Sequence, residues 1–125
     1  MKTIVVGYDE SESAERALLR AAELARFYDA KLIVTSVVPV LIKMGEGSDP
    51  EPIEIQQRLR ELDVEAELVE AIGDPAEAIV EVAEQRVADL IVVGTREPSL
   101  IERELGHSVS EQVQRRAHCD VLIVH

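Results

Sequence analysis

Aromatic residues are almost missing from this chain: Tyr8, Phe27 and Tyr28 are the whole set. A core without rings must be built from Val, Ile, Leu and Ala, which suits a buried parallel sheet covered by Ala-rich helices. Stacking of single-stranded nucleic acid on side-chain rings is disfavoured on the same ground. Cysteine is reduced to Cys119, so no internal disulfide and no cysteine metal site can form. Cys119 precedes an apolar run and reads as a small apolar filler. Lysine is scarce too, with only Lys2, Lys31 and Lys43 among 13 basic residues, against 25 acidic ones. The formal net charge of −12 repels phosphate backbones, so DNA, RNA and anionic membranes are poor partners. The acidic surplus fits either a salt-rich cytosol or an ordinary acidic protein. No apolar run approaches membrane-spanning length, and Lys2-Thr3-Ile4-Val5-Val6-Gly7 enters a strand without an apolar signal region. The expectation is a cytoplasmic protein with no membrane partner.

What is present is regular alternation. The 125 residues are expected to form one domain, 1–125, able to bury a core without staples. Strands are predicted over residues 4–8, 32–38, 65–71, 90–93 and 121–124, where β-branched or apolar residues run together. The first helix is capped by Asp9 or by Ser11; with Asp9 as cap, Glu12 would complete a capping box. Ala14, Ala17, Leu18, Ala21, Leu24 and Ala25 form its apolar stripe. The stretch 43–52 holds two glycines and two prolines and reads as a loop. A short helix over 53–62 precedes the third strand, whose acid–apolar alternation places it at a sheet edge.

Gly73-Asp74-Pro75-Ala76-Glu77 is the sharpest local signal: Asp74 as cap, Pro75 at the first helical position, Glu77 three residues after the cap. Ile79, Val80, Val82, Ala83 and Val87 are predicted to face the core from the helix that follows. Ser108 opens the last helix, with Val109, Val113 and Ala117 along one line.

Strands alternating with helices predict a doubly wound α/β fold, a five-stranded parallel sheet in flavodoxin- or Rossmann-like order 3-2-1-4-5 with helices on both faces. In that order strands one and four meet at the topological switch point, bringing Asp9 and Gly94 together where open α/β sheets bind ligands. Gly94 lets the backbone turn and approach a ligand without a Cβ. Ser108 and Ser110 sit at a helix start, whose free N–H groups and dipole favour an anion. No catalytic constellation is present: there is no P-loop lysine motif, no Gly-x-Gly-x-x-Gly after a strand and no placeable Ser–His–Asp set. The spacing of His107, His118 and His125 fits no standard metal site. The pair Asp9-Glu10 is reminiscent of a phosphorylation receiver, but no Asp ends strand three and His125, not Lys, ends strand five.

The order of these pieces resembles the universal stress protein family over nearly the whole chain. The resemblance rests on I-V-V-G-Y-D at the start, V-V-P after strand two and G-D-P-A-E-A-I before helix three. It continues through A-D-L-I-V-V-G-T-R and S-V-S-E to H-C-D-V-L-I-V. It implies that Asp9 meets the base or ribose of a bound nucleotide, that the backbone of Val37 meets the adenine edge, and that Ser108 and Ser110 hold phosphate. Gly94, Thr95 and Arg96 belong to the same cofactor-binding set.

Nucleotide-binding members follow a pattern of Gly, two residues, Gly, nine residues, Gly, then Ser or Thr. Aligned on its hydroxyls, this chain carries Glu97 and His107 at the second and third glycines. A carboxylate at Glu97 held about 5 Å from a phosphate, at an effective dielectric of about 20, would cost roughly 3 kcal/mol, about a hundredfold in affinity. Arg96 and Arg103 would offset part of this.

The resemblance therefore implies a binding or regulatory module of the stress response, a homodimer without catalysis whose protein partner is unknown. The alternative is a module that holds ATP or AMP, with Mg²⁺, and hydrolyses it slowly or not at all. The family's dimer pairs its final strands; the run Val121-Leu122-Ile123-Val124 would otherwise leave an apolar edge open.

Overall fold

The computed structural model describes residues 1–9, 11–38, 52–95 and 108–125. Among these, the elements run β1 (Thr3–Tyr8), α1 (Glu12–Tyr28), β2 (Lys31–Val38), α2 (Pro52–Glu61), β3 (Ala66–Ile72), α3 (Pro75–Gln85), β4 (Leu90–Gly94), α4 (Val109–Arg116) and β5 (Asp120–Val124). All four strand pairings are parallel and the order is β3-β2-β1-β4-β5, as the sequence predicted. β1 sits at the centre, with Val5 opposite Ile33 on one side and Ile91 on the other.

Because strand side chains alternate faces, each central strand feeds two cores. Ile4, Val6, Leu32, Val34 and Val92 point to one face and pack with Ala17, Leu18 and Ala21 of α1 and Leu59 of α2. Val5, Ile33, Ile91 and Val93 point to the other and pack with Ile79 and Ala83 of α3 and Val113 of α4. The alanines of α1 let that helix lie close to the sheet, a point that matters at Gly94. One hydroxyl inside this apolar interior, Thr35 Oγ1, is fully buried without a hydrogen-bond partner.

Local chemistry sets the helix starts. Ser11, not Asp9, caps α1, accepting from the Ala14 N–H at 3.1 Å. Asp9 acts one step earlier: its Oδ1 accepts from the Ser11 N–H at 3.0 Å and from the Ser11 hydroxyl at 2.5 Å, fixing the capping residue in place. Asp74 caps α3 with Pro75 in its first turn, its carboxylate accepting from the Glu77 N–H at 2.9 Å.

At the opposite end of the sheet, the Asp89 carboxylate accepts from the backbone N–H groups of Lys2 at 2.7 Å and Thr3 at 3.0 Å. These two bonds hold its carboxyl below the usual carboxylate range. Val87 departs from expectation. α3 stops at Gln85, so Val87 lies beyond the helix in a left-handed conformation (φ 52°), 81 % exposed instead of in the core.

Candidate functional site

A cavity of about 90 Å³ opens where β1 and β4 end side by side. Gly7, Tyr8 and Asp9 line it from β1 and its exit, Val93 and Gly94 from β4. Ser11, Ser13 and Ala14 come from the start of α1, Pro75 and Ile79 from α3, and Ser108, Val109 and Ser110 from the start of α4. This is the topological switch point, where neighbouring crossovers leave the sheet in opposite directions and a crevice is unavoidable.

Three helix starts therefore border one cavity. Capping decides what each can offer. Ser108 Oγ accepts from the Glu111 N–H at 3.2 Å, leaving the N–H groups of Val109 and Ser110 without a carbonyl partner inside the helix. Ser11 does the same for α1 through Ala14, leaving the N–H groups of Glu12 and Ser13. Two buried hydroxyls add to the polar wall: Ser13 Oγ lies 3.3 Å from Ser11 Oγ, and Ser110 Oγ 3.2 Å from Ser108 Oγ. Against these donors stands the Asp9 carboxylate. The chemistry is that of a cradle for an anionic group, with a carboxylate at one side suited to a ligand hydroxyl.

Four of the residues singled out in the sequence meet here: Asp9, Gly94, Ser108 and Ser110. Val37 is placed by its backbone at the carboxyl end of β2, opposite Ala71. Thr95 turns the other way. Its N–H donates to the Val124 carbonyl at 2.9 Å and its hydroxyl lies 3.1 Å from His125 Nδ1, so it ties β4 to β5 and lies off the cavity wall. Arg96, Glu97, Arg103 and His107 fall outside the described residues. Of the other histidines, His118 Nε2 reaches Glu84 at 2.8 Å on the surface.

Gly94 has a structural reason that the sequence concealed. A Cβ built there would lie 2.3 Å from the Ser13 carbonyl oxygen and 2.6 Å from its carbon. Its backbone is not left-handed, and glycine is required because the first turn of α1 presses on the end of β4. Tyr8, Ser11, Ser13 and Ile79 also line the cavity, although the sequence marked none of them as a site residue. The one available signal was the serine pair two residues apart behind Asp9, which mirrors Ser108 and Ser110.

The family model for the universal stress protein family matches residues 1–125. The chain belongs to the universal stress protein family. A universal stress protein of Mycobacterium tuberculosis is 39 % identical, the alignment covering 99 % of this chain and 96 % of the relative. A Methanocaldococcus jannaschii universal stress protein is 35 % identical, covering 98 % of this chain and 81 % of the relative. Among solved structures, a universal stress protein in complex with cAMP is 37 % identical with a TM-score of 0.77, covering 99 % of this chain and 96 % of that one. In this universal stress protein one parallel α/β sheet carries the switch-point cavity. Among the described residues no helix is long and apolar enough to cross a membrane.

Proposed function

We propose that this universal stress protein is a regulatory module of the stress response that holds an adenine nucleotide at the β1–β4 cavity. The observation that carries the reading is the convergence of the serine-capped starts of α1 and α4 on one cavity that also bears Asp9. At about 90 Å³ the cavity seats a phosphate-sized group. The nucleoside then extends along the carboxyl ends of β1 and β2, with Asp9 toward the ribose and the Val37 backbone toward the base. Support comes from the 37 % identical relative solved in complex with cAMP. ATP or AMP is the proposed ligand here, with Mg²⁺ accompanying the triphosphate. The protein works in the cytoplasm as a homodimer joined through Val121, Leu122, Ile123 and Val124 of β5, an edge strand whose apolar side chains are only half buried.

Calorimetric titration with ATP and AMP, with and without Mg²⁺, tests the ligand. Binding in the micromolar to millimolar range, lost in Ser110→Ala, is expected. No heat at millimolar nucleotide would reject it. If Glu97 and His107 weaken the site through charge and bulk, Glu97→Gly with His107→Gly tightens binding. Light scattering tests assembly: a particle of twice the chain mass is expected, and a monomer at micromolar concentration would remove the dimer.

A further inference from the structure

A chain of polar contacts leaves the cavity in a direction the ligand reading does not use. Of the three aromatic residues, only Tyr8 lines the cavity, while Phe27 and Tyr28 pack edge to face at the far end of α1. The Tyr8 hydroxyl donates to Glu15 Oε2 at 3.0 Å, one turn into α1. The other oxygen of the same carboxylate, Oε1, accepts from Arg58 Nη2. Arg58, 43 residues beyond Glu15, belongs to α2, none of whose described side chains lines the cavity.

Resting on the nucleotide reading above, we infer that Arg58 is a positioning residue for the nucleotide cavity, fixing the Tyr8 phenol through the Glu15 carboxylate. Two physical consequences follow from the geometry. First, a phenol with a charge-assisted acceptor is held in one orientation, because hydrogen bonds to ionised groups are shorter and stronger than neutral ones. A cavity-lining residue held in place before the ligand arrives spares the ordering cost of binding. Second, Arg58 neutralises Glu15, a carboxylate one side chain removed from a cavity built for an anion. Without the guanidinium, Glu15 would add to the repulsion that Asp9 already contributes.

The pairing also couples two parts of the molecule. Nucleotide occupancy that favours the fixed phenol also favours α2 docked against α1, since coupling between two sites is reciprocal. The Arg58 and Glu15 side chains are 41 % and 31 % exposed, so their pairing is too screened for the fold to depend on it. Its removal therefore reads out position more than stability.

The test is a double-mutant cycle on ATP affinity together with the ring signals of labelled tyrosine in the ligand-free protein. Arg58→Ala is expected to weaken ATP binding roughly fivefold. Arg58→Lys should recover most of the loss. In a Tyr8→Phe background, Arg58→Ala should cost clearly less, leaving only the repulsion from the unmasked Glu15 carboxylate. In the ligand-free protein, Arg58→Ala should move the ring resonances of Tyr8 and leave those of Tyr28 in place. Unchanged affinity, an equal loss in the Tyr8→Phe background, or unmoved Tyr8 resonances would each overturn the positioning role. Should Arg58→Ala fail to fold, Glu15→Gln tests the same contact through the ring signals: Tyr8 resonances should move while those of Tyr28 stay, and unmoved Tyr8 resonances overturn the role. If the unmodified protein shows no heat with ATP, the nucleotide reading fails, and the ring resonances alone decide whether Arg58 fixes Tyr8.

Discussion

Adding one methyl group at Gly94 should destabilise the protein more than adding one at Gly7, although both glycines line the same cavity. At Gly94 the new Cβ would meet the backbone of Ser13, its oxygen at 2.3 Å and its carbon at 2.6 Å. Relief to an ordinary contact of 3.4 Å requires the start of α1 and the end of β4 to part by about 1 Å. Neither segment can rotate away, because each is held by its own helix or strand bonds. Overpacking of this kind costs about 1–3 kcal/mol, and a backbone-to-backbone clash belongs at the upper end. At Gly7 the nearest atom is Ile79 Cδ1 at 2.5 Å, the far end of a flexible side chain. One torsion of Ile79 removes that clash for about 0.5–1.5 kcal/mol. The unfolded-state gain of Gly→Ala is common to both and cancels in the difference. Urea unfolding followed by circular dichroism measures both midpoints. Gly94→Ala should unfold at clearly lower urea than Gly7→Ala. Equal midpoints, or a smaller loss at Gly94, would refute the packing argument and return that glycine to the ligand alone.

Three further substitutions probe two positions that cost the fold stability and one that supplies it. Thr35→Val removes a buried hydroxyl without a partner at nearly constant shape, so stability should rise by about 1 kcal/mol; a fall in the urea midpoint would show that the hydroxyl is satisfied. Val87→Gly places the residue suited to a left-handed backbone at φ 52° on the surface and should add about 1 kcal/mol, visible as a higher melting temperature; no gain would count against strain there. Asp89 titrates below its usual 3.8 because two backbone N–H groups donate to its carboxylate. A depressed folded pKa stabilises above the unfolded value and loses that stabilisation as pH falls through the folded one. The stability gap between the unmodified protein and Asp89→Asn should therefore be full near neutral pH and shrink below about pH 3.8. A gap that is constant with pH would contradict this.

The fold was legible because its signals are redundant. Leu90-Ile91-Val92-Val93 is apolar without alternation, which only a strand buried on both faces tolerates, and it is buried throughout. Acidic and apolar residues alternate from Glu65 into β3, the mark of a wet face, and β3 lies at the edge. Asp74-Pro75 marked the start of α3 to the residue. Its end carried no such mark. Val87 follows Ala83 at helical spacing, and no glycine or asparagine warns that the helix has stopped at Gln85. Periodicity extended the apolar stripe into a residue that the backbone turns to solvent.

The site was legible as a place, less so as a set of contacts. Sheet order alone brings Asp9 beside Gly94, since parallel crossovers leave little freedom at the switch point. Which atoms then touch is decided by approach distances of an ångström or less, and these depend on side chains from other elements. Gly94 illustrates the limit: the motif suggested an opening toward a ligand, whereas the space belongs to the Ser13 carbonyl. Ser108 shows the converse. A capping serine and a phosphate-binding helix start look like rival readings, yet the cap consumes only the third N–H of α4 and frees the first two. Capping also fixes the direction in which those two donors point. The serine that caps α4 and the serine that prepares an anion site are thus one residue in one conformation, and Ser11 repeats the arrangement at the start of α1.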